Sequence, residues 1–155
     1  MERKTKIRAE EGRHDLVITR EFELPVELLF RAYEEPELVE QWMGTRVLKL
    51  ENRRHGGWQF ENRDAQGAVV FRSHGVFHEF SPNEKITRTF EMEGTPFPVQ
   101  LEFLEFEALT EDTSRLTMHI VYKSVAAREQ MLRLPFAEGL NGAHNRLEAV
   151  LSKVK

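Results

Sequence analysis

The chain has 155 residues, 40% hydrophobic and 31% charged, with a formal net charge of −4. That balance suits one folded soluble domain and argues against a disordered chain and against nucleic acid as a main partner. The absence of cysteine excludes disulfides, thiol catalysis and thiolate metal sites, and the longest apolar run, Ala68-Val69-Val70-Phe71, is far short of the ~20 residues of a membrane span.

Residues 1–13 are mostly charged and show no apolar period. They predict a flexible N-terminal arm ahead of one domain at 14–155, and with no signal peptide a cytoplasmic location is expected. Residues 14–23 alternate, with Leu16, Ile18 and Phe22 on one side, which predicts a first strand ended by Leu24-Pro25. Val26, Leu29, Phe30 and Tyr33 then recur at helical spacing, and Pro36 opens a second short helix carrying Leu38, Val39 and Trp42, with Gly44 as its stop. Strands follow over 46–52, 57–62, 68–80, 85–93, 99–109 and 115–123. Gly75, inside the third of these, predicts a bulge or bend. In 99–109, Val99, Leu101 and Phe103 are in phase, then Leu104, Phe106 and Ala108, which predicts another bulge near Phe103. Leu116, Met118, Ile120 and Tyr122 share a face of the last strand.

Ser124 reads as the N-cap of a helix running to Leu134 and interrupted by Pro135. A final helix over 136–154 carries the stripe Leu140, Ala143, Leu147, Val150, Leu151 and Val154. Gly139 and Gly142 cost ~1 kcal/mol each against alanine and so predict close approach to the sheet or to a ligand. The element order gives an α+β fold. It has a curved antiparallel sheet of about seven strands, two short helices after strand 1, and a long C-terminal helix covering the concave face.

Chemistry is sparse. His74 and His78 stand in a strand, ~13 Å apart, too far to share one ion. Ser73 and His74 are strand neighbours that point to opposite faces. Gly56-Gly57 lacks the lysine and helix of a phosphate loop. No catalytic residue, metal or cofactor is expected. Glu79, in phase with Phe77, is the candidate buried carboxylate, unless a bulge at Gly75 reverses its phase. His144, in phase with Leu140 and Leu147, is a second polar group that could reach an interior pocket. Trp58 and Phe60 share one strand face, Phe71 and Phe77 the next, and Phe90, Met118 and Tyr122 follow; together they fill a core or wall a cavity.

Several ordered segments carry a resemblance: Ile18-Thr19-Arg20-Glu21-Phe22, Pro25, Pro36-Glu37-Leu38, Gln41-Trp42, Gly56-Gly57, Gly75-Val76-Phe77-His78-Glu79-Phe80, Pro82, Lys85-Ile86, and stretches in 113–116 and 124–132. The sequence resembles the SRPBCC (START-like) superfamily over nearly all of 15–151, in the heat-shock protein 90 ATPase activator homologue branch. The resemblance implies a helix-grip fold with a cavity between sheet and final helix. It also implies non-catalytic binding of a hydrophobic or amphipathic small molecule. The walls would be Trp42, Trp58, Phe60, Phe71, Phe77, Phe90, Met118, Tyr122, Leu140 and His144, with His144, Tyr122 or Glu79 setting orientation. Two alternatives come with the family: an interaction module stimulating a chaperone ATPase, and a polyketide cyclase- or hydrolase-like enzyme using Glu79. A homodimer is compatible with the size. Met43-Gly44-Thr45 and Gly142-Ala143-His144 depart from the family pattern at the expected pocket mouth, so ligand identity does not transfer.

Overall fold

A one-sided sheet buries every second side chain, and that alternation organises the computed structural model, which describes residues 3–154. In chain order the elements are β1 (Lys6–Arg8), β2 (Asp15–Phe22), α1 (Val26–Glu34), α2 (Pro36–Met43), β3 (Arg46–Leu50), β4 (Gly57–Arg63), β5 (Val69–Ser81), β6 (Lys85–Met92), β7 (Gln100–Ala108), β8 (Ser114–Val121), α3 (Val125–Leu132) and α4 (Phe136–Ser152). Among the described residues, eight strands form one antiparallel sheet in the order β1-β2-β8-β7-β6-β5-β4-β3. Neighbours in sequence from β3 to β8 are neighbours in the sheet, and α1 with α2 carries the chain across from β2 to β3.

Local signals explain the helix ends. Pro36 occupies the first turn of α2, where its missing N–H costs nothing. Gly44 closes that helix in the left-handed region at φ 64°, with its N–H donated to the Glu40 carbonyl. The Ser124 hydroxyl accepts from the Ala127 N–H at 3.1 Å and caps α3. The core lies between the concave face and the helices. It joins Leu16, Ile18 and Phe22 of β2 and Leu116 and Ile120 of β8 to Leu29 and Phe30 of α1 and Leu147 and Leu151 of α4. Each such side chain contributes roughly 2 kcal/mol on burial.

Five expectations are corrected. Lys6–Arg8, inside the expected arm, pairs with β2 along Lys6↔Thr19 and Arg8↔Val17; this strand is made by backbone hydrogen bonds, to which composition gives no clue. The register break in β5 lies between Phe77 and Glu79, not at Gly75. Gly75 serves close approach instead, since a Cβ there would stand 1.9 Å from the Thr89 oxygen and 2.6 Å from Trp58 Nε1. β7 has no bulge: its register runs unbroken against β6 and β8. Its inward residues are Gln100, Glu102, Leu104 and Phe106, so the apolar phase of Leu101 and Phe103 belongs to the outer face. Finally, Gly139 and Gly142 mark no tight packing. A Cβ at Gly139 meets open space and one at Gly142 meets only Arg146 Nη1 at 3.7 Å. Val154, placed in the stripe of α4, lies beyond the helix end and is exposed.

Candidate ligand site on the concave face

Pairing across the sheet assembles a line of inward side chains. Phe77 stands opposite Arg88, Arg88 opposite Glu102, Glu102 opposite Ile120, and Ile120 opposite Leu16. The neighbouring line, Ile86, Leu104, Met118 and Ile18, is wholly apolar. Two opposite charges therefore sit in the middle of an apolar face. Arg88 Nε donates to Glu102 Oε1 at 2.9 Å, with side chains only 12% and 6% exposed. The other Glu102 oxygen accepts from Gln100 Nε2 at 2.7 Å. Among the described residues nothing hydrogen-bonds either Nη nitrogen of Arg88.

Aromatic rings surround the pair. The Arg88 guanidinium lies 5.4 Å from the Trp58 ring centroid, a cation–π distance. Trp58 meets Phe60 at 4.8 Å and Phe90 at 5.7 Å, while its indole N–H is donated to the Thr89 carbonyl at 3.2 Å. That last contact depends on the missing Cβ of Gly75. The Tyr122 hydroxyl is buried without a partner among the described residues. Burial, and then the Glu102 charge, push the Tyr122 phenol up from its ordinary value. Burial also raises Tyr33, where Arg88 opposes the shift and Glu102 adds to it. Both phenols are neutral donors beside the ion pair.

The expected wall residues separate into three groups. Trp58, Phe60, Phe77, Met118 and Tyr122 are buried on the concave face, and Phe90 and Leu140 are half-buried against the core. Trp42 is buried between the first two helices, its indole N–H donated to the Ala32 carbonyl at 2.7 Å and its ring 5.2 Å from Tyr33. Phe71, Glu79 and His144 stand elsewhere. Phe71 is only partly covered and falls outside the residues packed on the core, on the part of β5 that runs toward the 64–67 turn. Glu79 is exposed, bonded to Lys85 at 3.1 Å and accepting from the Thr87 hydroxyl at 2.9 Å. Those two contacts hold its carboxyl below the usual range, with Thr87 the larger cause. The bulge after Phe77 turns Glu79 outward and Phe80 inward. The inward carboxylate is Glu102.

His144 belongs to a second buried polar cluster, between β1, β2 and α4. Its Nδ1 lies 2.8 Å from the Thr5 hydroxyl, which also accepts from Arg20 Nη1 at 3.1 Å. Arg20 Nη2 donates to Asn145 Oδ1 at 2.9 Å, and the Thr5 N–H donates to Asn141 Oδ1 at 3.1 Å. Burial, and then the Arg20 charge, lower the His144 pKa to about 3, so the ring is neutral. Beside this cluster and sharing Arg20 with it, a surface groove of about 620 Å³ includes Arg3, Lys4, Arg115 and Glu148 in its lining and none of the expected wall residues. Arg3 and Arg115 there are paired, with Glu138 and with Glu21 and Glu107.

Arg88, Gln100 and Glu102 escaped the sequence reading, although they form the polar centre of the face. The usable signal was alternation: Gln100, Glu102, Leu104 and Phe106 are in phase with each other and opposite the clean stripe of β8.

A bent antiparallel sheet whose concave side is closed by a C-terminal helix is a helix-grip domain. Residues 23–152 match the family model described as Activator of Hsp90 ATPase homolog 1-like protein. The chain belongs to that family, within the SRPBCC superfamily. Solved structures agree on the fold. A Mycobacterium smegmatis protein is 22% identical over 95% of this chain and 96% of its own, with a TM-score of 0.83. An Arthrobacter aurescens protein is 19% identical over 96% and 91%, at 0.84. A Rhodobacter sphaeroides protein is 18% identical over 96% and 99%, at 0.83. No curated protein matches the chain. No helix among the described residues is long and apolar enough to cross a membrane.

Proposed function

We propose that the chain binds an apolar or amphipathic small molecule between its concave face and α4 and does no chemistry on it. One observation carries this reading. Trp58, Phe60, Phe77 and Phe90 gather around an ion pair whose outer Arg88 nitrogens have no partner among the described residues, and the Tyr122 hydroxyl, which feels the Glu102 charge, has none either. A core selected for stability alone gains nothing from the Tyr122 hydroxyl, because a buried donor without a partner costs about 1–3 kcal/mol. A site for a guest uses such groups: rings supply affinity through apolar contact and a few polar atoms fix orientation. Proton transfer has little support, since both Glu102 oxygens are already occupied, by Arg88 and Gln100. Native mass spectrometry of protein from its own host should find a bound apolar species, and an environment-sensitive apolar dye should be taken up and displaced. Protein that carries nothing and admits no dye would dispose of this reading.

The second reading, an interaction module that stimulates a chaperone ATPase, is favoured by the family description and by Val70 and Val76, exposed on the outer side of β5. It predicts retention of a chaperone on the immobilised chain and a faster chaperone ATPase; an unchanged rate counts against it.

A further inference from the structure

We infer that the Arg88–Glu102 pair recognises the polar end of the guest, and that this end is an uncharged hydrogen-bond acceptor such as a ketone, ester or amide oxygen. The inference rests on the small-molecule reading above and names the class of molecule it would take.

The donors are fixed first. Arg88 uses only Nε to hold Glu102, which leaves two Nη nitrogens on the same rigid fork. Tyr122, directly after β8, adds a buried hydroxyl with no partner among the described residues. Gln100 adds nothing, because its amide nitrogen is committed to Glu102 at 2.7 Å. The indole N–H of Trp58 is likewise committed, to Thr89. The available groups are therefore the donor-only fork of Arg88 and a phenol that donates or accepts, and the fork asks for an acceptor.

Charge then selects among acceptors. The pair carries no net charge, so the site has no excess charge to draw an ion out of water. A carboxylate head would bring a second negative charge beside Glu102, which is fixed in place by two donors and only 6% exposed. An ammonium head would be repelled by the Arg88 guanidinium, which has no acceptor, and would find only the Tyr122 phenol oxygen to take one of its hydrogens. Burying an ion without a partner is costly, whereas a carbonyl dipole needs only the hydrogens already on offer. A hydrocarbon end would leave those hydrogens without acceptors, a situation that discriminates strongly between otherwise isosteric ligands.

The pair has no alternative role in joining elements. β6 and β7 are already laddered from Lys85↔Glu105 to Phe90↔Gln100, so a side-chain tie between Arg88 and Glu102 connects nothing that the backbone has not connected. Replacing such a buried pair with apolar residues of similar volume is commonly neutral or stabilising. A merely structural pair would thus be dispensable for both stability and selectivity, whereas a recognition pair is dispensable for stability alone.

The test uses four naphthalenes of similar size on the intact chain: 2-acetylnaphthalene, 2-ethylnaphthalene, 2-naphthoate and 2-naphthylmethylammonium. Dissociation constants are read from perturbation of backbone amide resonances. The ketone is expected to bind about tenfold tighter than the hydrocarbon and both ions. Tyr122→Phe, which removes only an unpartnered hydroxyl and should fold, is expected to lose part of that preference. The double variant R88M/E102L is expected to lose the larger part of it, the part that Tyr122→Phe leaves, while still taking up 2-ethylnaphthalene. Equal binding of ketone and hydrocarbon, naphthoate ranking first, or a preference unchanged in both variants would overturn the head-group assignment and leave the small-molecule reading standing. Uptake of none of the four would overturn both.

Discussion

Two arginines stand on the concave face of this sheet, and the structure holds them in opposite ways. Arg20, on β2, is tied to other elements: Thr5 next to β1, Asn145 of α4, and Glu148 of α4 at 3.9 Å. Its side chain is fully covered. Arg88, on β6, is held from one side, by a carboxylate on the adjacent strand, and its outer nitrogens have no partner among the described residues. The first arrangement ties α4 to the sheet through Asn145 and Glu148, a connection that no strand ladder makes. The second makes no such connection. Two charges of the same kind on the same face thus separate a structural cluster from a candidate binding cluster, by whether their partners lie on elements that need joining.

Substitutions can break or sharpen this contrast. The largest effect is expected from Glu102→Ala, which leaves Arg88 without its counter-charge and should destabilise by about 3–5 kcal/mol in urea unfolding. A loss below about 1 kcal/mol would mean that Arg88 swings out to water. Next comes acid. The neutral His144 ring, with its pKa lowered to about 3, takes up a proton in the unfolded chain below about pH 6.5 but not in the folded one. Its contribution is complete above pH 6.5 and declines as pH falls toward 3, by at most ~1.4 kcal/mol per pH unit. His144→Gln should flatten the stability profile between pH 6.5 and 5, and parallel profiles would place the titration elsewhere. Thr5→Val, which takes the acceptor from Arg20 Nη1 and the hydrogen from His144 Nδ1, should cost about 1–2 kcal/mol. The smallest effect belongs to R88M/E102L, expected within about 1 kcal/mol of the parent or above it. A loss as large as that of Glu102→Ala would make Arg88 a structural residue like Arg20.

The same contrast explains what was legible in the sequence. The phases of β2 and β8 were readable because apolar residues outnumber the polar ones that face inward with them, Leu16, Ile18 and Phe22 beside Arg20, and Leu116, Met118 and Ile120 beside Ser114. α1 and α2 were readable from spacing, proline and glycine. β7 was not, because the rule that inward means apolar fails where an interior carries charge. Gln100 and Glu102 look like surface residues, while Leu101 and Phe103 look like core. Phe103 is outward and stacks on the His119 ring at 5.8 Å, a use of an aromatic that no periodicity announces. Glu79 was misplaced for another reason: the extra residue of β5 follows Phe77, whereas glycine suggested an earlier position, and one residue inverts a strand's faces. The candidate site was missed at the two residues that make it more than a core.

The hydroxyl of Thr5 has a consequence for where the domain begins. A chain trimmed to start at Lys6 would keep every residue of the sheet, yet a guanidinium and an imidazole deep between β2 and α4 would lose the oxygen they share. Such a chain is expected to be less stable than one that begins ahead of Thr5, and an amino-terminal fusion keeps the contact only if the linker lets position 5 settle against the helix.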